Sequence, residues 1–238
     1  MALAFPSESP ALGTVLVTGG ASGLGRAVVE AVGSAGGHAV VLDRADPPPG
    51  YEGMIVDLAD GRAAEAAVHR MAERQGGLSA VVTCAGTDAC GRLADTPAED
   101  WERVVRVNLL GTAAVIRAAL PYLERLVGAG KVVTVASTLG LRALSDATAY
   151  CASKFGVVGF TRALAAELAG RVGVTLLIPG GMATAFFDGR EEKYKPPPDA
   201  KLNDPSDVAA AVLFALRQPP GCEVRELVIC PSTETSWP

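Results

Sequence analysis

Short runs of β-branched and apolar residues recur along the chain, and longer segments rich in Ala, Leu, Glu and Arg separate most of them. The runs are nearly continuous and not alternating, which is typical of strands covered on both faces of a parallel sheet. The pattern predicts one α/β domain over residues 1–238, a doubly wound sheet of about seven parallel strands with helices on both faces. The predicted strands are residues 14–20, 38–43, 53–57, 79–86, 131–137, 174–180 and 226–232.

The connection between the second and third predicted strands departs from this alternation. It consists only of "RADPPPGYE", and its three consecutive prolines exclude a regular helix, so we expect an irregular loop there. Two helix starts elsewhere are clearly marked. Asp204 is a predicted N-cap, because a proline follows it at the first helical position. Thr96 is a second predicted N-cap, again followed by proline, and Glu99 completes its capping box.

A glycine-rich loop follows the first strand and opens a helix, in the stretch "VTGGASGLGRAVVEAV". The first glycine, Gly19, allows a tight turn, and Gly23 lets backbone N–H groups approach a pyrophosphate. Gly25 permits close packing of the helix on the strand. The helix N-terminus presents free amides and its positive dipole end to such an anion. A glycine-rich turn without a ligand is the alternative, but the strand–loop–helix context favours a dinucleotide site of the Rossmann type.

Acidic residues end the second and third strands. Asp43 ends "AVVLD", where a carboxylate can accept hydrogen bonds from both hydroxyls of an adenosine ribose, and this favours NAD as the cofactor. Arg44 follows directly and could pair with the 2′-phosphate of NADP, so the strictness of the preference stays open. Asp57 either approaches the adenine or simply caps the end of its strand.

The stretch "STLGLRALSDATAYCASK" combines a phenol, an ammonium group and a hydroxyl. Tyr150 and Lys154 lie one turn apart on one face of a predicted helix, and Ser137 ends the preceding strand. The ammonium group is expected to lower the pKa of Tyr150 from its ordinary value of ~10. Together with Ser137, such a pair suits interconversion of C–OH and C=O with hydride transfer to a nicotinamide. An isolated Tyr–Lys pair usually marks a solvated helix, but this one follows a dinucleotide loop.

Composition mainly excludes other classes. The net charge is −5 without a Lys/Arg cluster, so no nucleic-acid partner is expected. The five cysteines form no C-x-x-C pair and are interpreted as reduced thiols of a cytoplasmic protein. The two histidines lie in no ligand cluster, so no metal is predicted. No apolar run approaches the ~18 residues of a membrane span, and residues 1–12 lack the features of a signal peptide.

These motifs jointly resemble the short-chain dehydrogenase/reductase family. The segments TGGASGLG, CAG at 84–86, VN at 107–108, YCASK and PGGMAT at 179–184 stand in the family's usual order around Ser137. The resemblance extends from about residue 12 to residue 231 and implies an NAD(H)-dependent oxidoreductase. Its substrate would be a secondary alcohol or ketone, or a 3-hydroxyacyl or 3-oxoacyl group. Cys84 replaces the first residue of the family's usual Asn-Ala-Gly, which puts a stabilising side-chain bond in doubt.

The resemblance also implies roles for individual residues. Tyr150 would be the general acid/base, and Ser137 would orient the substrate. Asn108 would interrupt its helix and hold a water that connects Lys154 to solvent. Lys154 would also bind the nicotinamide ribose. The implied cofactor-binding set is Gly19, Ser22, Gly23, Leu24, Gly25, Asp43, Asp57, Leu58, Ala85, Gly86, Tyr150, Lys154, Pro179, Gly180, Met182 and Thr184.

Two further regions bear on function. Residues 185–203 form the predicted substrate-lid region, in which Phe186, Phe187 and Tyr194 would make an apolar wall, the alternative being a solvated loop. Apolar residues surround much of the helix at 151–168, which favours a homo-oligomer, a tetramer by resemblance or a dimer, over a helix fully buried in one monomer. The rival functions are an NADPH-dependent 3-oxoacyl-carrier-protein reductase-like enzyme and a non-catalytic dinucleotide-sensing regulator.

Overall fold

The computed structural model of the protein describes residues 11–234. The expectation about a signal peptide in residues 1–12 therefore falls almost entirely outside the described residues. The strands are β1 Thr14–Thr18, β2 His38–Asp43, β3 Glu52–Ile55, β4 Ala80–Thr83, β5 Lys131–Val135, β6 Gly173–Pro179 and β7 Glu226–Ile229. The α-helices are α1 Gly23–Ser34, α2 Gly61–Gln75, α3 Ala98–Val105, α4 Thr112–Leu123, α5 Thr148–Glu167 and α6 Pro205–Leu216.

The seven strands form one parallel sheet in the order β3-β2-β1-β4-β5-β6-β7, which confirms the predicted fold class. In the register, Val17 of β1 pairs with Val41 on one side and with Val82 on the other. The carboxyl ends of all strands therefore meet at one edge of the sheet. The strand order reverses between β1 and β4, and such a switch point is where α/β sheets bind ligands.

Helices cover both faces of the sheet. One face packs against α1 and α6, and the other packs against α2, α4 and α5. Every residue of β4, β5 and β6 is buried, which explains why these strands have continuous apolar sequences. These buried strands place their carboxyl ends side by side at the switch point.

The predicted loop between β2 and β3 is confirmed, because no helix lies between these two consecutive elements. Pro48 is buried in this loop, and Gly50 has a φ of 87°, a backbone conformation that favours glycine. The hydroxyl of Tyr51 lies so close to Gly33 of α1 that a Cβ there would be 2.8 Å away. The short proline-rich crossover thus takes the place of a helix against α1.

Residues 98–126 form one continuous helical stretch that a π-helical segment, Arg106–Gly111, interrupts. The predicted interruption at Asn108 therefore exists, and Asn108 itself is buried. By length and composition alone, this stretch is the one helix among the described residues that could span a membrane, but 56% of its most apolar window is buried inside the fold. It serves here as a core helix of the α/β domain.

The two predicted helix starts have different outcomes. The Asp204 side chain accepts a hydrogen bond from the N–H of Ser206 at 2.8 Å, so this N-cap is confirmed. The predicted N-cap at Thr96 is wrong, because the helix begins one residue later with Pro97 as its N-cap. The Thr96 hydroxyl instead donates to the carbonyl of Arg92 in the preceding turn, and it is therefore not directed at the helix amides.

Candidate active site

A large cleft of about 1740 Å³ opens at the carboxyl edge of the sheet. Sites for a single small molecule are usually about 300–1000 Å³, so this cleft has room for a dinucleotide and a substrate together. All the predicted cofactor-binding residues line it, as do Ser137, Tyr150 and Lys154. Asn108 does not line the cleft but lies behind Gly86, where a Cβ would be 3.6 Å from its Oδ1 atom.

The glycine loop after β1 has no room for a side chain at two of its glycines. Gly19 has a φ of 70°, and a Cβ there would lie 2.7 Å from the backbone nitrogen of Ala85. A Cβ on Gly25 would lie 2.0 Å from the carbonyl oxygen of Gly19. Gly23, with a φ of 51°, opens α1. The loop therefore leaves an open cradle at a helix N-terminus, and this geometry fits the pyrophosphate of a dinucleotide.

Asp43 braces this cradle from the end of β2. One carboxylate oxygen accepts the N–H of Ala21 at 2.9 Å, and the other accepts the N–H of Ala45 at 3.1 Å. The side chain is only partly buried, and each oxygen retains capacity for a further hydrogen bond. Asp43 can therefore hold the glycine loop and still accept from a ribose hydroxyl. The exposed Arg44 beside it also lines the cleft.

The structure bears on the two readings of Asp57. One oxygen accepts the N–H of Ala59 at 2.9 Å, which is the strand-end cap, and the other pairs with Arg103 at 2.9 Å. Burial alone would raise the pKa of Asp57, but these hydrogen bonds and the guanidinium charge hold it below its ordinary value. Asp57 remains on the cleft wall, beside Leu58 and Arg103.

Ser137, Tyr150 and Lys154 meet on the cleft wall. The Ser137 side chain hydrogen-bonds Tyr150, and it also accepts the N–H of Leu139 at 3.1 Å, which fixes the turn after β5. The Nζ atom of Lys154 lies 5.6 Å from the centre of the Tyr150 ring and donates to the carbonyl of Val135 at 2.9 Å. The ammonium group is thus buried beside the Tyr150 ring.

The pKa of Tyr150 differs from the sequence-based expectation. Burial raises it to about 12, and the hydrogen bond from Ser137 offsets only part of this rise. The Asp88 carboxylate raises it further, while the Arg190 guanidinium lowers it. The expectation that Lys154 lowers this pKa below its ordinary value is therefore wrong for the protein alone. Burial also lowers the pKa of Lys154 to about 8, so this side chain loses its proton at a lower pH than an exposed lysine does.

Asn108 links three elements behind the cleft. Its Oδ1 atom accepts the N–H of Thr87 at 2.8 Å, and its Nδ2 atom donates to the Thr87 carbonyl at 2.9 Å. The same Nδ2 donates to Ser153 at 3.0 Å, and Ser153 donates to the backbone carbonyl of Tyr150 at 2.8 Å. Asn108 therefore fixes the loop after β4 against the start of α5. Oδ1 retains one lone pair for a water.

Cys84 stands at the end of β4, where the family usually has asparagine. Burial raises the pKa of its thiol to about 12, so the side chain is neutral. The loop is held at this point by Thr18, whose hydroxyl accepts the N–H of Ala85 at 3.2 Å and whose carbonyl accepts the N–H of Cys84 at 3.2 Å. The approach of Ala85 and Gly86 to the cleft is therefore preserved without the asparagine.

Residues of the predicted lid lie against Tyr150. The Phe186 ring is 5.7 Å from the Tyr150 ring, centre to centre, and Phe187 packs edge-on against Phe186. The guanidinium of Arg190 lies over both phenylalanine rings, 5.1 Å and 4.6 Å from their centres. Tyr194 donates a hydrogen bond to Asp146 at 3.3 Å. Phe186 and Phe187 thus pack together beside Tyr150, while the wall that includes Tyr194 and the assignment of residues 185–203 as a substrate lid stay predictions.

Several residues of this site were not foreseen from the sequence. Asp88 and Arg190 form an ion pair across 102 positions, and no local pattern marks either residue. The sequence gives a weak indication of the hydrogen bond between Ser153 and Tyr150, since Ser153 lies three residues after Tyr150 on the same helix. The sequence shows that Arg103 is a cation on a predicted helix after β4, but it does not show that Arg103 pairs with Asp57.

Comparisons with known proteins agree with this geometry. The sequence model of the family described as short chain dehydrogenase matches residues 13–195. D-threitol dehydrogenase from Mycolicibacterium smegmatis is 31% identical over 218 residues, covering 84% of each chain. Glycine betaine reductase ATRR from Emericella nidulans is 32% identical over 247 residues, covering 95% of this chain but only 19% of that protein.

Among solved structures, a variant of actinorhodin polyketide ketoreductase with NADPH superposes with a TM-score of 0.81. It is 29% identical, and the match covers 92% of this chain and 95% of that chain. The family match spans well over half of the sequence, and the glycine loop, the Ser–Tyr–Lys set and the switch-point cleft occur together. The chain therefore belongs to the short-chain dehydrogenase family, as an NAD(P)-dependent oxidoreductase that acts on CH–OH groups.

Proposed function

We propose that the protein interconverts a secondary alcohol and a ketone, with NAD(H) as cofactor and Tyr150 as general acid/base. The observation that carries this proposal is the meeting of Ser137, Tyr150 and Lys154 on the wall of the cleft that the glycine loop also lines. A phenol that exchanges a proton with the substrate oxygen beside a bound dinucleotide is the arrangement such a reaction needs. The test is turnover of secondary alcohols and ketones with each dinucleotide, and the absence of turnover with every pair would contradict the proposal.

In this mechanism the chain's own residues position the substrate and move its proton. Ser137 holds the substrate oxygen, and Tyr150 removes the hydroxyl proton during oxidation or returns it during reduction. A bound nicotinamide supplies the hydride acceptor for oxidation and the hydride donor for reduction. The positive charge of Lys154 favours the phenolate form of Tyr150, although burial opposes that form in the protein alone. Asn108 would hold the water that connects Lys154 with solvent.

The remaining predicted residues would hold the dinucleotide along the same cleft. The N-terminus of α1 would bind the pyrophosphate through backbone amides from Ser22 to Gly25. Asp43 would bind the adenosine ribose, while Asp57 and Leu58 would border the adenine. Lys154 would also bind the nicotinamide ribose. The nicotinamide end would lie against Ala85, Gly86, Pro179, Gly180, Met182 and Thr184, all of which line the cleft.

NAD is preferred over NADP in this proposal because the Asp43 carboxylate would face the 2′-phosphate. Two like charges a few ångströms apart cost on the order of 1–4 kcal/mol, which corresponds to a roughly 5- to 900-fold preference in kcat/KM. Asp43→Ser should shift the ratio of kcat/KM for NADP over NAD upwards by at least about 5-fold. Asp43→Asn is the matched variant, since it removes the charge but keeps an acceptor for the N–H of Ala21.

A cofactor preference set by Arg44 would contradict the preference for NAD. A native enzyme that uses NADPH as well as NADH would show that Arg44, and not Asp43, sets the preference. That result would favour the second candidate, an NADPH-dependent reductase of the 3-oxoacyl type, because the exposed Arg44 lines the cleft next to Asp43. The NADPH in the structure of the polyketide ketoreductase belongs to that protein and motivates the comparison.

A homo-oligomer, a dimer or a tetramer, is part of the proposal. Phe155 of α5 is 45% exposed and Leu110 beside α4 is 56% exposed, so large apolar side chains face outwards on this side. Phe214 of α6, at 56%, and Val228 of β7, at 39%, do the same on another side. Apolar groups of this size are typical of surfaces that a second subunit covers. A light-scattering mass at a multiple of 24.3 kDa would agree.

A cytoplasmic location is also proposed. All five cysteines are free thiols, as is usual in a reducing compartment. Desolvation raises the pKa of Cys84 and of Cys90 to about 12, which keeps both thiols protonated. The substrate is proposed to be a small molecule, without a nucleic-acid or membrane partner. The rival of another class, a dinucleotide-sensing regulator without catalysis, is opposed by the complete set of Ser137, Tyr150, Lys154 and Asn108.

A further inference from the structure

An ion pair beside the reacting groups has no part in the roles assigned above. The Nη2 atom of Arg190 lies 2.6 Å from Oδ2 of Asp88, and both residues line the cleft. The Asp88 side chain is 7% exposed and that of Arg190 is 17% exposed, so the pair is well shielded from water. Removing two charges from water is costly, and only their mutual attraction and further hydrogen bonds offset that cost.

The hydrogen bonds of this pair are incomplete. Oδ1 of Asp88 accepts the N–H of Ala89 at 2.7 Å, while Oδ2 accepts from Arg190 and from the Cys90 thiol. Oδ1 therefore retains one acceptor position. Nη1 of Arg190 also donates to the carbonyl of Tyr194 at 3.3 Å, while its Nε atom is enclosed by protein and has no partner among residues 11–234. Each Nη atom carries two N–H groups and makes one of these bonds, so N–H donors as well as one acceptor remain on the pair.

One aromatic ring links the ion pair to Tyr150. The centre of the Phe186 ring lies 5.7 Å from the centre of the Tyr150 ring. The Arg190 guanidinium lies 5.1 Å from the centre of the same Phe186 ring. The charges of Asp88 and Arg190 both act on the hydroxyl of Tyr150, in opposite directions. Tyr150 and the ion pair line the same cleft, so a substrate whose carbinol oxygen reaches Tyr150 can extend towards the pair.

Charge and hydrogen bonding then select among substrate classes. The pair is neutral overall, so it exerts no net attraction on an anionic or a cationic substrate. A hydrocarbon group would leave a buried donor and a buried acceptor unsatisfied. A hydroxyl group can donate to Asp88 and accept from Arg190 at the same time.

We propose that Asp88 and Arg190 determine specificity by binding a hydroxyl on the carbon next to the one that reacts. The substrate is then a small neutral vicinal diol, a polyol or a sugar, or the corresponding hydroxyketone. This inference rests on the proposed function, because it concerns the substrate of the same site. It adds two specificity residues, from the loop after β4 and from the predicted lid.

The test compares butane-2,3-diol with butan-2-ol, which differ by the one hydroxyl. The native protein should oxidise the diol with a kcat/KM about 10- to 100-fold higher, because a site built to hydrogen-bond a hydroxyl discriminates against the analogue without it. Asp88→Asn should reduce this ratio by at least about 10-fold, since a neutral amide oxygen is a weaker acceptor for the substrate hydroxyl than a carboxylate oxygen. Arg190→Lys, which keeps the charge but loses the planar fork and Nε, should reduce it in the same direction.

Glu30→Gln is the matched control, because it removes a carboxylate from the exposed ion pair with Arg26, and it should leave the ratio unchanged. Equal kcat/KM for the two alcohols in the native protein would overturn the inference while leaving the proposed function intact. A native preference for the diol that both variants retain would likewise overturn it. If no alcohol or ketone reacts in the native protein, the proposed function itself is wrong and the inference falls with it.

Discussion

Tyr150→Phe is expected to lower kcat for alcohol oxidation by at least about 100-fold, while the dinucleotide still binds. The substitution removes one oxygen atom and keeps the ring that packs against Phe186 at 5.7 Å. The site therefore loses its proton acceptor but little of its packing. Turnover is measured by the appearance of reduced dinucleotide under saturating substrate, and binding is measured by fluorescence titration with NADH.

The chain offers a matched control for this substitution. Tyr122 of α4 has its hydroxyl 3.1 Å from Nδ1 of His69, away from the cleft. Tyr122→Phe removes the same oxygen atom and should leave kcat within about 2-fold, since a surface hydroxyl contributes little. Near-normal turnover in Tyr150→Phe, with the dinucleotide bound, would show that another group transfers the proton.

Lys154→Met should lower the maximal rate by a comparable factor and move the pH–rate profile for alcohol oxidation upwards. The substitution removes the positive charge whose Nζ atom lies 5.6 Å from the centre of the Tyr150 ring. Without that charge the phenolate is less favoured, so the pKa of Tyr150 rises and a higher pH is needed to ionise it. A profile that keeps its midpoint would show that Lys154 does not act on Tyr150 through charge.

The stability of Lys154→Met at different pH values distinguishes the loss of the buried charge from a loss of packing. The pKa of Lys154 is lowered by burial from 10.5 to about 8. Between these pH values the unfolded chain binds more protons than the folded one, so the free energy of unfolding of the native protein rises with pH, by up to about 3 kcal/mol. The methionine variant lacks this gain. Its melting temperature relative to the native protein should therefore fall as the pH rises from 8 to 10.5, and a constant difference would contradict the burial of the charge.

The sequence was sufficient for the sheet but not for the ends of its strands. The continuous apolar runs correspond to β4, β5 and β6, which are buried on both faces. The predicted strands at 79–86 and 131–137 extend past Thr83 and Val135, where the ladders end. The residues beyond those ends are still small or apolar, but they form the loops of the cleft. Pattern alone does not distinguish a strand residue from a loop residue that is covered by its neighbours.

The site could be predicted where its signals are local. Tyr150 and Lys154 are one helical turn apart, and the glycine spacing reports a backbone shape directly. Asp88 and Arg190 are 102 positions apart, and only the fold brings them together. Thr96 is not the N-cap because the helix begins after Pro97, and the Thr96 hydroxyl donates to the Arg92 carbonyl in the preceding turn.

The sign of the pKa shift at Tyr150 shows a second limit. Residue types and spacing identify the neighbouring ammonium group, but they do not say how deeply the phenol is buried. Burial is the larger effect here, and it raises the pKa to about 12. The reaction then depends on what opposes this burial in the assembled site, namely Ser137, Lys154 and a cationic nicotinamide.

Hydride transfer from carbon to the dinucleotide is the central claim, and an isotope label tests it most directly. The native protein is incubated with NAD and, in turn, with butane-2,3-diol, butan-2-ol and cyclohexanol, each deuterated at the carbinol carbon. The mass of the NADH formed is then measured. The account predicts NADH that carries one deuterium, with the diol as the best donor. Binding of NAD without transfer of the label from any of these alcohols would contradict it.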